Sequence, residues 1–372
     1  MTECLRDSMS EEQDNEMDKK NDESKNLAVK DACIRLLPNC AEDVDVIVSP
    51  TEFGCNKATF KASVNGSGDY FVRLLNEGWI SRIENGPYMP PSSLVQYTHA
   101  VGEAGLGPAV LASDGQAMIQ EWVEDMVPVL DNFDVIINDI EHAVAIGALL
   151  GRMHQLPVYA DKAIRVVPIC YTPWEFDKVL PRLCKQDLDL ENVWVEFNAL
   201  WTRPPLEGNL GSRLVLVHGD FHWLNVLMTH SKEEGGRPKF YIIDLELCRI
   251  GIAVEDIAWF FSEVQMNHRR PEYPALDFRD GFARGYLQAC GLGDEKRFVN
   301  ELLFAVEYER PWMMMLRMST WGGQRKTLKK ECAPEGVFAM SRQLLAAAQA
   351  GNQSLKHKIL EQGIIEYARA MI

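Results

Sequence analysis

Asp220 and Asn225 stand in one short segment, and Asp244 follows at the end of an apolar run. Two carboxylates and an amide in this order are the side chains that phosphoryl transfer from a nucleoside triphosphate requires. One carboxylate orients the attacking hydroxyl and takes its proton. The amide and the second carboxylate hold the Mg²⁺ ions that neutralise charge on the phosphates. The flanking sequence explains how the three can converge. LVLV, NVLMT and KFYIID are short, β-rich apolar runs, and SKEEGGRP between the last two has the Gly, Pro and charge of an exposed hairpin loop. Strand, loop, strand, hairpin, strand returns Asn225 to the side of Asp244.

These residues need a scaffold on both sides. Residues 1–26 are polar, acid-rich and free of aromatics, and they read as a disordered tail. Ala28–Leu37 reads as a short helix. VDVIVSP, ATFKASV and YFVRLL follow as strands, the last two joined by the Asn65–Asp69 turn. Ser92–Gly105 has helical character, and Ala109–Ala112 and Ala117–Val123 read as two further strands around Asp114-Gly115. From Asp125 onward the chain turns helical. Ile146, Leu149, Leu150 and Met153 form one apolar stripe within Glu141–Leu156, which Pro157 ends. Further helices are expected near Trp174–Leu183, Leu190–Leu200, Val254–Val264, Asp277–Ala289, Glu295–Met318, Pro334–Gln349 and Leu355–Met371. The expected organisation is therefore the tail (1–26), a β-rich domain (27–124) and a larger helical domain (125–372).

His218-Gly219-Asp220-Phe221-His222-Trp223-Leu224-Asn225, followed by Ile243-Asp244-Leu245-Glu246, resembles the catalytic loop and metal-binding strand of the aminoglycoside phosphotransferase and choline/ethanolamine kinase superfamily. The resemblance runs from about Val44 to Glu263 and is thinner beyond. It implies an α+β, bilobal protein-kinase-like fold with a small β-rich N-lobe and a larger, mainly helical C-lobe. It also implies an ATP- and Mg²⁺-dependent kinase acting on choline, ethanolamine or a similar amino alcohol. Asp220 is then the catalytic carboxylate, and Asn225 and Asp244 are the metal ligands. Phe53–Phe60, with Gly54 and Asn56, resembles the phosphate-covering loop with one glycine lost. Arg73 stands where choline and ethanolamine kinases carry the Arg that grips phosphate, a role its planar fork suits. Gln120, Glu121, Trp122 and Val123 resemble the stretch that meets the adenine.

The acceptor side is drawn less sharply. His222, two residues after Asp220, can orient the acceptor, reach a phosphate or support the loop. His218 is expected to hold the backbone near Asp244. Glu246 and Glu263 can line an acidic acceptor pocket, while Asp256 reads as a helix-start residue that braces the catalytic loop. Trp312 and Trp321, with Trp259 and Tyr308 nearby, are candidates for an aromatic cage around a quaternary ammonium. Their spacing does not reproduce the family's. A second departure concerns the helix Glu that normally anchors the phosphate-gripping cation. No Glu occurs between Asn85 and Gly102, which leaves Glu84 or Glu103 to substitute.

Bulk composition narrows the partners. A formal net charge of −16 argues against nucleic acid or an anionic membrane surface and suits a small cationic substrate. The nine cysteines show no C-x-x-C pair, which fits reduced thiols in a cytoplasmic protein. No run reaches the length of a membrane span. Two alternatives to an amino-alcohol kinase stand. One is an aminoglycoside-phosphotransferase-like kinase of another hydroxyl metabolite. The other is a pseudokinase that keeps the fold as a binding module.

Overall fold

The computed structural model describes residues 22–38, 40–41, 43–51, 58–75, 90–157, 213–229, 237–267, 273–320 and 335–371. The chain divides into two compact units, Met1–Glu124 and Asp125–Ile372. Among the described residues no helix is long and apolar enough to cross a membrane.

The N-terminal unit is one antiparallel sheet with helices. Its strands are β1 (Val46–Pro50), β2 (Thr59–Val64), β3 (Gly68–Leu74), β4 (Val110–Ser113) and β5 (Ala117–Glu121). Their order is β1-β2-β3-β5-β4. The β2–β3 turn is tight because Gly66 and Gly68 take φ of 79° and 111°, a region closed to most side chains. Helix α1 covers 22–36 and so begins inside the stretch expected to be tail. Asp22 and Glu23 sit in its first turn, where acidic groups complement the helix dipole. Its apolar side supplies Val29, Ala32 and Cys33 to a core completed by Phe60, Ala62, Val72 and Ile119. Burial, with the nearby Cys40, pushes the Cys33 thiol up to about 11, so it stays protonated. Helix α2 (Pro91–Glu103) starts with proline at its first position, where a missing N–H costs nothing.

In the C-terminal unit β6 (Met126–Pro128), β8 (Val226–Thr229) and β9 (Phe240–Ile242) form one antiparallel sheet, and β7 (Leu214–Val217) pairs with β10 (Arg249–Ile252) in another. The helices are α3 (Phe133–Ile136), α4 (Ile140–Met153), α5 (Val254–Asn267), α6 (Leu276–Ala289), α7 (Lys296–Thr320), α8 (Glu335–Gln349), α9 (Gln353–Gln362) and α10 (Ile364–Met371). The expected single helix over Leu355–Met371 is broken. Gly363 takes φ of 85°, and the amide of Ile364 donates to the buried Glu307 carboxylate at 2.9 Å instead of continuing a ladder. The helices expected near Trp174–Leu183 and Leu190–Leu200 lie outside the described residues.

The α4–α6 pair packs backbone to backbone. Gly147 faces the Phe282 carbonyl, Gly151 faces that of Tyr286, and Gly285 faces that of Val144. Substituting alanine at Gly147 puts a methyl into a carbonyl oxygen that no rotamer change can move. Gly147→Ala is expected to lower stability by about 1–3 kcal/mol through overpacking, against a helix-propensity gain of at most about 1 kcal/mol. Gly115→Ala, with open space around it, is expected to stay within about 0.5 kcal/mol of the parent. Thermal melts of the two variants check this; equal midpoints would contradict the packing account.

Candidate active site

The site is built around one turn of chain. β7 carries Val215, Leu216 and Val217 into the core and delivers His218 to the loop. Gly219 then takes φ of 78°, and a Cβ there would strike the Leu247 carbonyl oxygen, so glycine is required between His218 and Asp220. The backbone amides of His218 and Gly219 donate to the two oxygens of Asp256, at 2.7 and 2.9 Å. Asp256 also contacts His154 Nε2 at 3.0 Å, and it is 2% exposed. Burial alone would push its carboxyl up. The hydrogen bonds from His154 and the His218 amide outweigh that and hold it below the usual carboxylate range.

His218 ties the loop to the strand that leads to Asp244. Its Nε2 donates to the Ile243 carbonyl at 2.8 Å, one residue before Asp244, and its Nδ1 accepts from the amide of Asp220 at 3.2 Å. Complete burial pushes its pKa down despite the charges of Asp256, Asp220 and Asp244. It is therefore a neutral girder between two segments. Asn225 completes the join. Its side-chain amide donates to the Asp220 carbonyl at 3.0 Å, and its own carbonyl accepts from Ile243 at 3.1 Å as β8 pairs with β9. Asp244 has left-handed backbone angles, φ 63° and ψ 60°. A non-glycine residue there costs about 1–3 kcal/mol, a strain that concentrates at functional sites.

Asp220 lies between two nitrogen-bearing rings. Trp259 Nε1 donates to Oδ1 at 3.2 Å, and His222 Nε2 lies 3.4 Å from Oδ2. His222 Nδ1 accepts from the amide of Leu224 at 3.2 Å and lies 4.0 Å from Glu263 Oε1. Glu263 is 1% exposed, and Glu246 sits in the short helical turn Leu245–Leu247. Trp259 is the residue that sequence reasoning misplaced. Grouped with the cage aromatics, it is instead 1% exposed and hydrogen-bonded to Asp220. The spacing Asp256, Trp259, Glu263 was the available signal, since residues three and seven apart share a helix face.

The residues present suit a divalent cation. The Asn225 amide nitrogen is turned toward the Asp220 carbonyl, which directs its oxygen elsewhere, and Asp244 adds a carboxylate. Hard cations such as Mg²⁺ take oxygen ligands of this kind. Among the described residues no group of three or more His, Cys, Asp or Glu forms a metal cluster.

The residues expected on the donor side lie in the other unit. Arg73 is buried in β3 opposite Thr59 and Met118. The Gln120 side chain donates to the Pro108 carbonyl, and that of Glu121 accepts from the Ala109 amide, so both fasten the turn before β4. Trp122 carries Lys61 over its ring at 4.6 Å, and Val123 follows β5. Glu103 pairs with His99 on its own helix and is 70% exposed. Gly54, Asn56, Glu84 and Trp321 lie outside the described residues, as does the side chain of Trp312.

The model of the phosphotransferase enzyme family matches residues 64–297. No curated protein sequence matches. Among solved structures the chain is similar to a choline kinase from Cryptosporidium parvum, with 16% identity and a TM-score of 0.61, over 92% of this chain and 99% of that one. It is also similar to an ethanolamine kinase from Plasmodium vivax, with 13% identity and a TM-score of 0.58, over 93% and 88%. An amicoumacin kinase in complex with AMP-PNP and Ca²⁺ gives 15% identity and a TM-score of 0.52, over 92% and 95%. At these identities the likeness is one of fold, α+β and protein-kinase-like.

Asp256→Ala strands two backbone amides and His154, and is expected to cost about 3–5 kcal/mol in urea unfolding followed by tryptophan fluorescence. Asp256→Asn tests the charge. A carboxyl held below its unfolded value contributes stability that is full above the unfolded pKa and fades as pH falls through the folded one. The gap between wild type and Asp256→Asn should therefore be constant down to about pH 4 and close below it.

Proposed function

This chain belongs to the phosphotransferase enzyme family, and on that premise we propose that it is an ATP-dependent kinase of choline, ethanolamine or a similar amino alcohol. The observation that supports this reading most directly is the framework joining the three chemical residues. Asn225 is bonded to the Asp220 carbonyl and to the strand residue before Asp244, which ties the backbone of the loop to that strand. Asp220 orients the acceptor hydroxyl and takes its proton as the oxygen attacks the γ-phosphate. Asn225 and Asp244 would hold Mg²⁺, which when bound would neutralise charge on the donor phosphates. Arg73 is assigned to those phosphates as well, with the Gly54–Asn56 loop, while the backbone from Gln120 to Val123 is assigned to the adenine.

An acceptor bearing a cation is favoured by the chain's net charge and by the buried Glu263, whose carboxylate lies beside the ring that contacts Asp220. Glu246, Trp312 and Trp321 are carried as further acceptor-side candidates. One observation favours a second reading, a pseudokinase that binds nucleotide without turnover. The Glu of α2 lies on the exposed side, paired with His99, and so does not serve as the buried anchor that such helices offer.

A screen of amino alcohols and amino sugars for stimulated ADP release from Mg-ATP separates the readings. Choline or ethanolamine is expected to stimulate release, and Asp220→Ala to lower kcat by about 10²–10⁴-fold with Mg-ATP binding and melting temperature retained. Nucleotide binding with no stimulation by any acceptor would transfer the protein to the pseudokinase reading. Replacing Trp312 or Trp321 is expected to raise the KM for choline if either ring touches the acceptor, which an unchanged KM would rule out.

A further inference from the structure

We infer that helix α5 clamps the catalytic loop through one stripe of side chains, in which Trp259 is the positioning residue for Asp220 and His222 its counterpart on the other oxygen. The inference rests on the reading of Asp220 as the carboxylate that meets the acceptor hydroxyl.

Asp256, Trp259 and Glu263 lie three and then four residues apart, on one face of α5. Their partners advance along the loop in the same direction. Asp256 takes the amides of His218 and Gly219, Trp259 reaches the Asp220 carboxylate, and Glu263 faces the ring of His222. One helix therefore sets the backbone before Asp220 and the side chain of Asp220, and places Glu263 beside the ring of His222, two residues further on.

The ring of His222 has a defined tautomer. The amide of Leu224 donates to its Nδ1, so in the neutral ring the proton resides on Nε2, the atom 3.4 Å from Asp220 Oδ2. Trp259 Nε1 can only donate. Each oxygen of the carboxylate thus faces one N–H, at 3.2 and 3.4 Å, from rings that are themselves fixed. Trp259 is 1% exposed, and the next residue, Phe260, stacks on Trp223, whose own indole donates to the Phe260 carbonyl at 2.8 Å. Held between the two, the carboxylate has its torsions set before a substrate arrives. A carboxylate oxygen accepts more than one hydrogen bond, so this hold is compatible with receiving the acceptor proton. Displacing a reacting group by about 1 Å costs on the order of 10²-fold in rate, which is the scale at which such a hold would be felt. At 1% exposure Trp259 also has no open ring face to offer a cage around the acceptor.

Two measurements on the full-length chain test this. In ¹H–¹⁵N spectra the indole resonance of Trp259, identified by its loss in Trp259→Phe, is expected to shift in Asp220→Ala. The His222 ring is expected to carry its proton on Nε2 in long-range ¹⁵N correlations. An unmoved indole resonance, or an Nδ1 proton on neutral His222, overturns the clamp whether or not the protein turns over. With whichever acceptor the screen identifies, Trp259→Phe is expected to lower kcat by about 10–10²-fold and leave both KM values within about twofold. His222→Leu should behave likewise, and His222→Gln, which keeps an N–H donor at similar reach, should recover most of the rate. A raised acceptor KM with unchanged kcat would make Trp259 part of the acceptor wall and sink the positioning role. A wild type that is inactive with every acceptor sinks the kinase reading instead, while the indole shift still decides the clamp.

Discussion

A single buried carboxylate, Asp256, holds the candidate active site in place, and the helices of the C-terminal unit can be traced outward from it. It accepts the consecutive backbone amides of His218 and Gly219 and contacts a buried imidazole. Taking a charge out of water is expensive unless its hydrogen bonds are satisfied, and here three donors converge on two oxygens. His154 Nε2 lies 3.0 Å from Asp256, and its Nδ1 lies 3.0 Å from the hydroxyl of Tyr286. Burial pushes that hydroxyl's pKa well up, so it remains a donor. The line from Tyr286 on α6, through His154 at the end of α4, to Asp256 on α5 fixes three helices against one loop.

The glycine contacts of α4 and α6 acquire their purpose from this line. His154 follows α4 directly, so its reach toward Asp256 depends on where α4 lies against α6. Side chains at Gly147, Gly151 and Gly285 would hold the helices apart and carry His154 with them. Close backbone approach is thus a positional requirement on the loop as well as a packing solution. The strained Asp244 fits the same scheme, since the His218 bond to Ile243 and the β8–β9 pairing fix the residue before it.

Much of this was legible in the sequence because it is local. The strands of both units announce themselves by β-branched runs between Gly-rich turns, and the loop by the spacing of Asp220, Asn225 and Asp244. The brace by Asp256 and the girder role of His218 follow the resemblance that those residues carry. What was not legible depends on neighbours distant in sequence. Gly147 and Gly285 read as ordinary helix-weakening residues until α6 is set beside α4. Gly363 lies in an apparently continuous helical pattern, and only the buried Glu307, far away in the chain, supplies a competing acceptor for the amide of Ile364. Trp259 was read as one more aromatic because a hydrogen bond from its edge leaves no composition signal.

The helices behind the site are registered by charge rather than by apolar packing alone. Glu307 on α7 accepts from Arg279 at 3.0 Å, Arg310 at 2.9 Å and the hydroxyl of Tyr273 at 2.5 Å, and Arg310 also reaches Glu366 at 3.0 Å. The guanidinium of Arg310 lies 3.4 Å from the Tyr273 ring centre, and the carboxylates of Glu366 and Glu307 hold it charged against burial. Replacing such a network by well-matched apolar residues is often neutral or stabilising, so its value here is better sought in register than in stability. Arg310 Nε donates to Ser262 Oγ at 3.2 Å, next to Glu263. A slip of α7 by one turn would break that bond and leave several buried charges unmatched, whereas an apolar seam would tolerate it. The network thereby fixes α7 against the end of α5 that carries Glu263.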